Sequence, residues 1–185
     1  QLKLLLRLLI AHAFEERFDQ LIDISHNGYD FMDDPMFHRR RVVRLPDDVY
    51  VIEDRVTGIC REEHDIRLYY NFAFGHLDGE NGKFDYTSQK GRRYTMTVQA
   101  DKKLDFEILE GSEDPIGGWI SYGYAWRKPI PQLIAKHSGK APIHFITVLA
   151  PEGTKAETAI NGDAATVTLA GGKVLTLTEN AVELH

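Results

Sequence analysis

The sequence holds a single cysteine, Cys60, so no disulfide within the chain can form and a thiolate zinc site lacks its ligands. It also lacks a long apolar run. Residues 1–10 (QLKLLLRLLI) are broken by Lys3 and Arg7 and fall short of the about 20 residues that a membrane span needs. Positive charge is in deficit, with 22 Lys and Arg against 28 Asp and Glu and a net charge of -6, which argues against a nucleic-acid partner. No G-x-S-x-G, H-E-x-x-H, P-loop or dinucleotide-binding glycine motif is present. The eight histidines, His12, His26, His38, His64, His76, His137, His144 and His185, are too dispersed for any local spacing to announce a metal.

What is present is an ordinary globular composition, 43% hydrophobic and 27% charged, in 185 residues, enough for one well-filled core. Residues 1–17 read as an amphipathic helix with Leu2, Leu5, Leu6, Leu9 and Ala13 on one stripe. A signal peptide is the lesser reading, because Phe14-Glu15-Glu16-Arg17 follows at once. The chain opens on Gln1 without an initiator methionine, so a piece of a longer or processed protein is expected.

From residue 18 the period changes from helical to two. Short runs rich in β-branched and aromatic residues alternate with Gly, Asp, Asn and Pro. Strands are expected over 18–25, with a turn or bulge at Asn27-Gly28, and over 37–45 and 49–56, which form a hairpin across Pro46-Asp47-Asp48. Further strands are expected over 64–74 and 141–149. Residues 77–83 read as a loop, and 92–100 with 104–109 as a hairpin. Residues 158–184 read as terminal strands of the same sheet system. The expectation is an all-β domain over 18–185, a two-layer antiparallel β-sandwich preceded by the short helix.

Two clusters stand out as candidate chemistry. In His38-Arg39-Arg40-Arg41, strand alternation puts His38 and Arg40 on one face and Arg39 and Arg41 on the other. Burying both pairs unpartnered is prohibitive, so they either pair with acids such as Asp33, Asp34, Glu53 and Asp54 or meet an anionic ligand. In residues 115–126 (PIGGWISYGYAW), Trp119, Tyr122 and Tyr124 either fill the core or stack on sugar rings.

The succession HNGYDFMDDPMFHRRRVVRL (26–45), VYVIEDRVTG (49–58), HDIRLYYNFAF (64–74), PIGGWISYGY (115–124) and FITVLAP (145–151) resembles the C-terminal β-domain of heparinase II/III-like polysaccharide lyases. The resemblance covers about residues 18–151 and rests on the order of five separated motifs. It implies an enzyme in which an N-terminal α-helical toroid packs on an antiparallel β-sandwich with the substrate cleft between them. It implies β-elimination in uronic-acid-containing glycans, a reaction that needs the carboxylate neutralised, a carbon-bound proton removed and the leaving oxygen protonated.

The resemblance makes His26 and Tyr29 the catalytic candidates in this chain. The substrate-binding candidates are Tyr29, His38, Arg39, Arg41, Trp119 and Tyr122. The chain departs from the family's pattern in having no room for the toroid, and two local departures also qualify the transfer. His26-Asn27 is followed by Gly28-Tyr29 where the family's catalytic His-Asn motif continues with Thr, which aligns His26 with a later strand. Asn71 stands where relatives often carry histidine. Zinc or another divalent cation is implied in the full-length parent, with His26 a candidate ligand whose partners lie upstream. The implied partners are an acidic polysaccharide and the toroid, with self-association where the toroid is missing. Periplasmic or secreted parents are usual for such lyases, with a cytoplasmic one the alternative. Two further readings stay open: a stand-alone carbohydrate-binding module, and a structural or interaction domain without catalysis.

Overall fold

The computed structural model describes the backbone of Arg7–Leu9 and residues 20–185. The expected helix over 1–17 lies outside the described residues apart from Arg7–Leu9, which are a strand, β1, rather than helix. The strands that follow are β2 (Gln20–Tyr29), β3 (Met36–Leu45), β4 (Val49–Gly58), β5 (His64–Asn71), β6 (Gly75–Glu80), β7 (Lys83–Ser88), β8 (Arg93–Ala100) and β9 (Asp105–Glu110). The short pieces β10 (Ser112–Glu113), β11 (Ile116–Gly117), β12 (Trp119–Gly123) and β13 (Trp126–Pro129) come next. β14 (Pro131–Gly139), β15 (Ile143–Pro151), β16 (Ala156–Asn161), β17 (Ala164–Leu169), β18 (Val174–Leu177) and β19 (Val182–Leu184) complete the chain.

The fold is all-β, as the period-two pattern predicts. Eight strands in the order β1-β2-β3-β4-β15-β8-β7-β6 form a central antiparallel sheet. One of its faces carries the three-stranded sheet β5-β14-β9, and Val56, Phe84, Met96, Ile143 and Phe145 meet Ile66, Leu68, Tyr70 and Leu133 in the core between them. The other face carries the four-stranded sheet β16-β17-β18-β19, where Val43, Leu45, Val51, Ile146 and Val148 meet Val167, Leu175 and Leu177. Residues 158–184, expected as a continuation of the sheet system, therefore form a third layer. The alternation along β15 makes this possible: Ile143 and Phe145 serve the first core, while Ile146 and Val148 serve the second.

Two local expectations need correction. Residues 77–83 are a tight hairpin between β6 and β7, because Asn81 (φ 53) and Gly82 (φ 80) supply the two positive-φ positions of a two-residue turn. The segments 92–100 and 104–109 are strands, but β8 pairs with β15 and β7 while β9 pairs with β14, so the chain crosses between sheets at 101–104 instead of turning back. The hairpin of β3 and β4 stands as expected, turning at Pro46–Asp48 with Asp47 (φ 62) and Asp48 (φ 56) in the left-handed region that Asp tolerates.

Candidate functional site

The β3 cations project alternately, as strand geometry demands, and the two faces have different fates. On the face toward β16–β19, Arg41 is 1% exposed and donates from Nε to Glu53 Oε2 at 2.5 Å. Its terminal nitrogens donate to the carbonyls of Thr178 (2.5 Å) and Ala181 (3.2 Å). Arg39 pairs with Asp23 through both Nε (2.9 Å) and a terminal nitrogen (2.5 Å) and reaches the Glu179 carbonyl at 2.6 Å. Arg55, beside Glu53, reaches the Asp163 carbonyl at 2.5 Å. These three arginines tie the third layer to the central sheet. Burial alone would raise the Glu53 carboxyl, but hydrogen bonds from His144 and Arg41 and the charges of Arg41 and Arg55 outweigh it and bring the pKa to about 2.

Arg41 as a substrate-binding residue is therefore corrected: it is sealed between layers with its donors spent on Glu53 and backbone carbonyls. The acid-pairing alternative describes Arg39, Arg40 and Arg41 alike, with Asp23, Asp54 and Glu53 as their respective partners.

The opposite face of β2 and β3 is more open. No described residue of β2 joins the first core, and Ile22 is left 38% exposed. Here the register sets His26 beside His38 and Arg40 beside Asp54. His26 Nε2 lies 3.1 Å from His38 Nδ1, and His38 Nε2 lies 2.6 Å from Asp54 Oδ1. Arg40 donates to both oxygens of that carboxylate, from Nε at 2.7 Å and from a terminal nitrogen at 3.1 Å. Asp54 is wholly buried, Arg40 keeps a third of its side chain in solvent, and the Tyr29 ring lies 5.6 Å from that of His26 at the exposed end. Burial and the neighbouring His38 hold His26 below the ordinary histidine range. The shift of register between His26 and Tyr29 makes Asn27-Gly28 a bulge, which re-aims the Tyr29 end of the strand.

A second open feature is the β12–β13 hairpin. Tyr124 at its tip is fully exposed, Tyr122 is 73% exposed, and the Tyr122 and Trp126 rings lie 5.3 Å apart at 34°. Lys128 Nζ sits 5.6 Å from the Trp126 ring centre. Trp119 is part of the support: its indole N–H donates to the Ser112 carbonyl at 2.8 Å and Arg127 covers its ring at 4.1 Å. The structure thus brings together His26, Tyr29 and His38 at one site and Trp119 and Tyr122 at the hairpin. Asp54 and Arg40 complete the first constellation. Strand alternation already pairs Arg40 with His38, and that is the signal that would have found it. Among the described residues no group of three or more His, Cys, Asp or Glu is arranged to hold a metal, so the idea of His26 as a ligand finds no partners there.

No family model and no curated protein matches this sequence. Solved structures do. A heparinase III gene product matches with a TM-score of 0.68 at 16% identity, over 89% of this chain and 26% of its own. Heparan sulfate lyase HepC from Pedobacter heparinus matches with a TM-score of 0.65 at 13% identity, over 90% of this chain and 26% of its own. A further heparinase III structure matches with a TM-score of 0.65 at 18% identity, over 85% and 25%. The chain spans about a quarter of the length of the structures it matches, and over most of its own length it has the β fold found in that quarter of heparinase III and heparan sulfate lyase.

Proposed function

We propose that the chain is the β-domain of a polysaccharide lyase that cleaves uronic-acid-containing glycans by β-elimination, forming one wall of the substrate cleft and inactive by itself. The observation that carries this reading is the fold match to about a quarter of several lyases. The open face of β2 and β3 supports it, since it offers imidazole, phenol and guanidinium groups for an acidic sugar at His26, Tyr29 and Arg40. Tyr122 and Tyr124 offer ring faces on which sugar C–H groups stack.

The partner that completes the cleft in this proposal is an α-helical toroid. Tyr29, Phe31, Met32, Phe37 and Ile59 are exposed where β2, β3 and β4 end together, and covering them returns about 25 cal/mol per Å² of apolar area. Without the toroid this end favours self-association. The test compares the full-length parent and this chain on a panel of uronate polymers by the absorbance of unsaturated product. Product from the parent alone is expected. Product from the purified chain refutes the inactive-wall reading, and none from a folded parent on any polymer refutes the lyase.

The second reading, a stand-alone carbohydrate-binding module, draws on the exposed hairpin aromatics. It requires that this chain alone bind oligosaccharides and that Tyr122→Ala abolish the binding.

A further inference from the structure

The two ends of the His26–His38–Asp54 chain fix its hydrogen-bond polarity. The Asp54 carboxylate, gripped by Arg40, accepts from His38 Nε2 at 2.6 Å, so that nitrogen carries a hydrogen. At the other end the Gly28 amide, which can only donate, points at His26 Nδ1 at 3.3 Å, so that nitrogen presents a lone pair. His38 Nδ1 is left as acceptor and His26 Nε2 as donor across the 3.1 Å between them. One tautomer of each ring, both neutral, satisfies all three contacts.

A proton enters this arrangement smoothly at one atom. On His38 Nδ1 it would set two N–H groups against each other. On His26 Nδ1 it leaves the run from His26 Nε2 through His38 to Asp54 intact, with the carboxylate facing the imidazolium through His38, and removes only the Gly28 contact. We propose that His26 Nδ1 is a proton-operated latch on the Asn27-Gly28 bulge: the neutral ring holds the Gly28 amide, and the protonated ring releases it together with the Tyr29 end of the strand. His38 and Asp54 are positioning residues that set the tautomer of His26. This inference rests on the local geometry and stands whether or not the chain serves a lyase.

Arg40 and Asp54 lie on the same face, and Tyr70 of β5 sits under Arg40 with 5.9 Å from guanidinium to ring centre. Asp30 accepts from the Asn27 side chain at 2.9 Å, Tyr29 packs on His26, and Arg7 of β1 stands opposite Ser25 in the register. Asp23 and Arg39 are paired on the far side of the sheet. The depressed pKa of His26 keeps the latch closed at neutral pH and opens it on acidification.

The experiment is an NMR titration of the whole chain that follows imidazole nitrogens and backbone amides. Neutral His26 is expected with its hydrogen on Nε2, and the Gly28 and Tyr29 amides are expected to shift with the same midpoint as His26. A neutral His26 with its hydrogen on Nδ1, or a Gly28 amide that does not follow the His26 titration, overturns the proposal. Two variants separate positioning from bulk packing. In His38→Gln the amide oxygen accepts and the amide nitrogen donates, so the single His26 tautomer is retained. In His38→Phe the Gly28 amide is the one remaining contact of the chain that favours a hydrogen on His26 Nε2, so a share of the Nδ1–H tautomer appears. An unchanged His26 tautomer in folded His38→Phe overturns the positioning role, and should that variant not fold, loss of the single tautomer in His38→Gln does the same.

Discussion

Replacing Arg41 with Met removes the central tie between the carboxy-terminal sheet and the rest of the fold. Arg41 and Glu53 are each 1% exposed, and their ion pair is closed by the carbonyls of Thr178 and Ala181 on one side and by Arg55 (3.0 Å) and His144 (2.7 Å) on the other. Methionine fills much of the volume, so the cost is chiefly electrostatic: Glu53 loses a buried partner, the Thr178 carbonyl loses the Arg41 donor, and the Ala181 carbonyl keeps only the Thr178 amide (2.9 Å). Breaking a buried pair in this way costs about 3–5 kcal/mol, which at roughly 2–4 °C per kcal/mol for a chain of this size lowers Tm by about 10 °C. Arg39→Met is the control. Its pair with Asp23 is 31% and 20% exposed, and a partly solvated pair of this kind costs about 1 kcal/mol or less. Urea unfolding gives the two stabilities, and hydrogen exchange shows where the loss falls: β16–β19 should exchange faster in Arg41→Met while β5, β9 and β14 stay protected. Equal costs for the two variants, with exchange in β16–β19 unchanged, would refute the reasoning and return Arg41 to the ligand-binding candidates.

The Glu53 carboxyl, at about 2 instead of 4.5, binds protons less readily folded than unfolded, so its stabilisation is complete above the unfolded value and is lost as pH falls from about 4.5 toward 2. That shift corresponds to about 3 kcal/mol, and Glu53→Gln should flatten this part of the urea-midpoint profile; a profile as steep as the parent's contradicts the assignment. His26 works in the other direction of charge: its folded pKa lies below 6.5, so stability declines as pH falls through 6.5 and levels off below the folded value, a decline that His26→Gln should remove. Tyr70→Phe leaves the buried Thr147 hydroxyl without its partner at 2.8 Å and should cost about 1–3 kcal/mol in chemical denaturation, with a neutral result showing that another group satisfies Thr147. Gly79→Ala should destabilise the β6–β7 hairpin, because Gly79 has φ 136 and a Cβ there runs into the Lys83 carbonyl; an unchanged melting curve would show that the turn relaxes without cost.

The alternating pattern determined most of the strands and the all-β class, because a half-buried strand records its own faces in a period of two. The same period determined that His38 and Arg40 share one face of β3 and Arg39 and Arg41 the other. Which face is buried, and by what, was not in the local sequence. Arg41 and Arg39 meet carbonyls at residues 178–181, about 140 positions away, and no neighbouring residue signals that a third sheet folds back over them. For the same reason 92–100 and 104–109 looked like one hairpin: alternation states that each is a strand, whereas pairing is decided by β14 and β15, which arrive later in the chain and claim one each. The histidine chain depended on both levels. His26 and His38 were visible as candidates, but their hydrogen-bonded run to a sealed Asp54 exists only because the bulge at Asn27-Gly28 and the β2–β3–β4 register bring three strands into step. A residue's own period is local information, but its partner is chosen by long-range burial, and that choice is made only when the layers close.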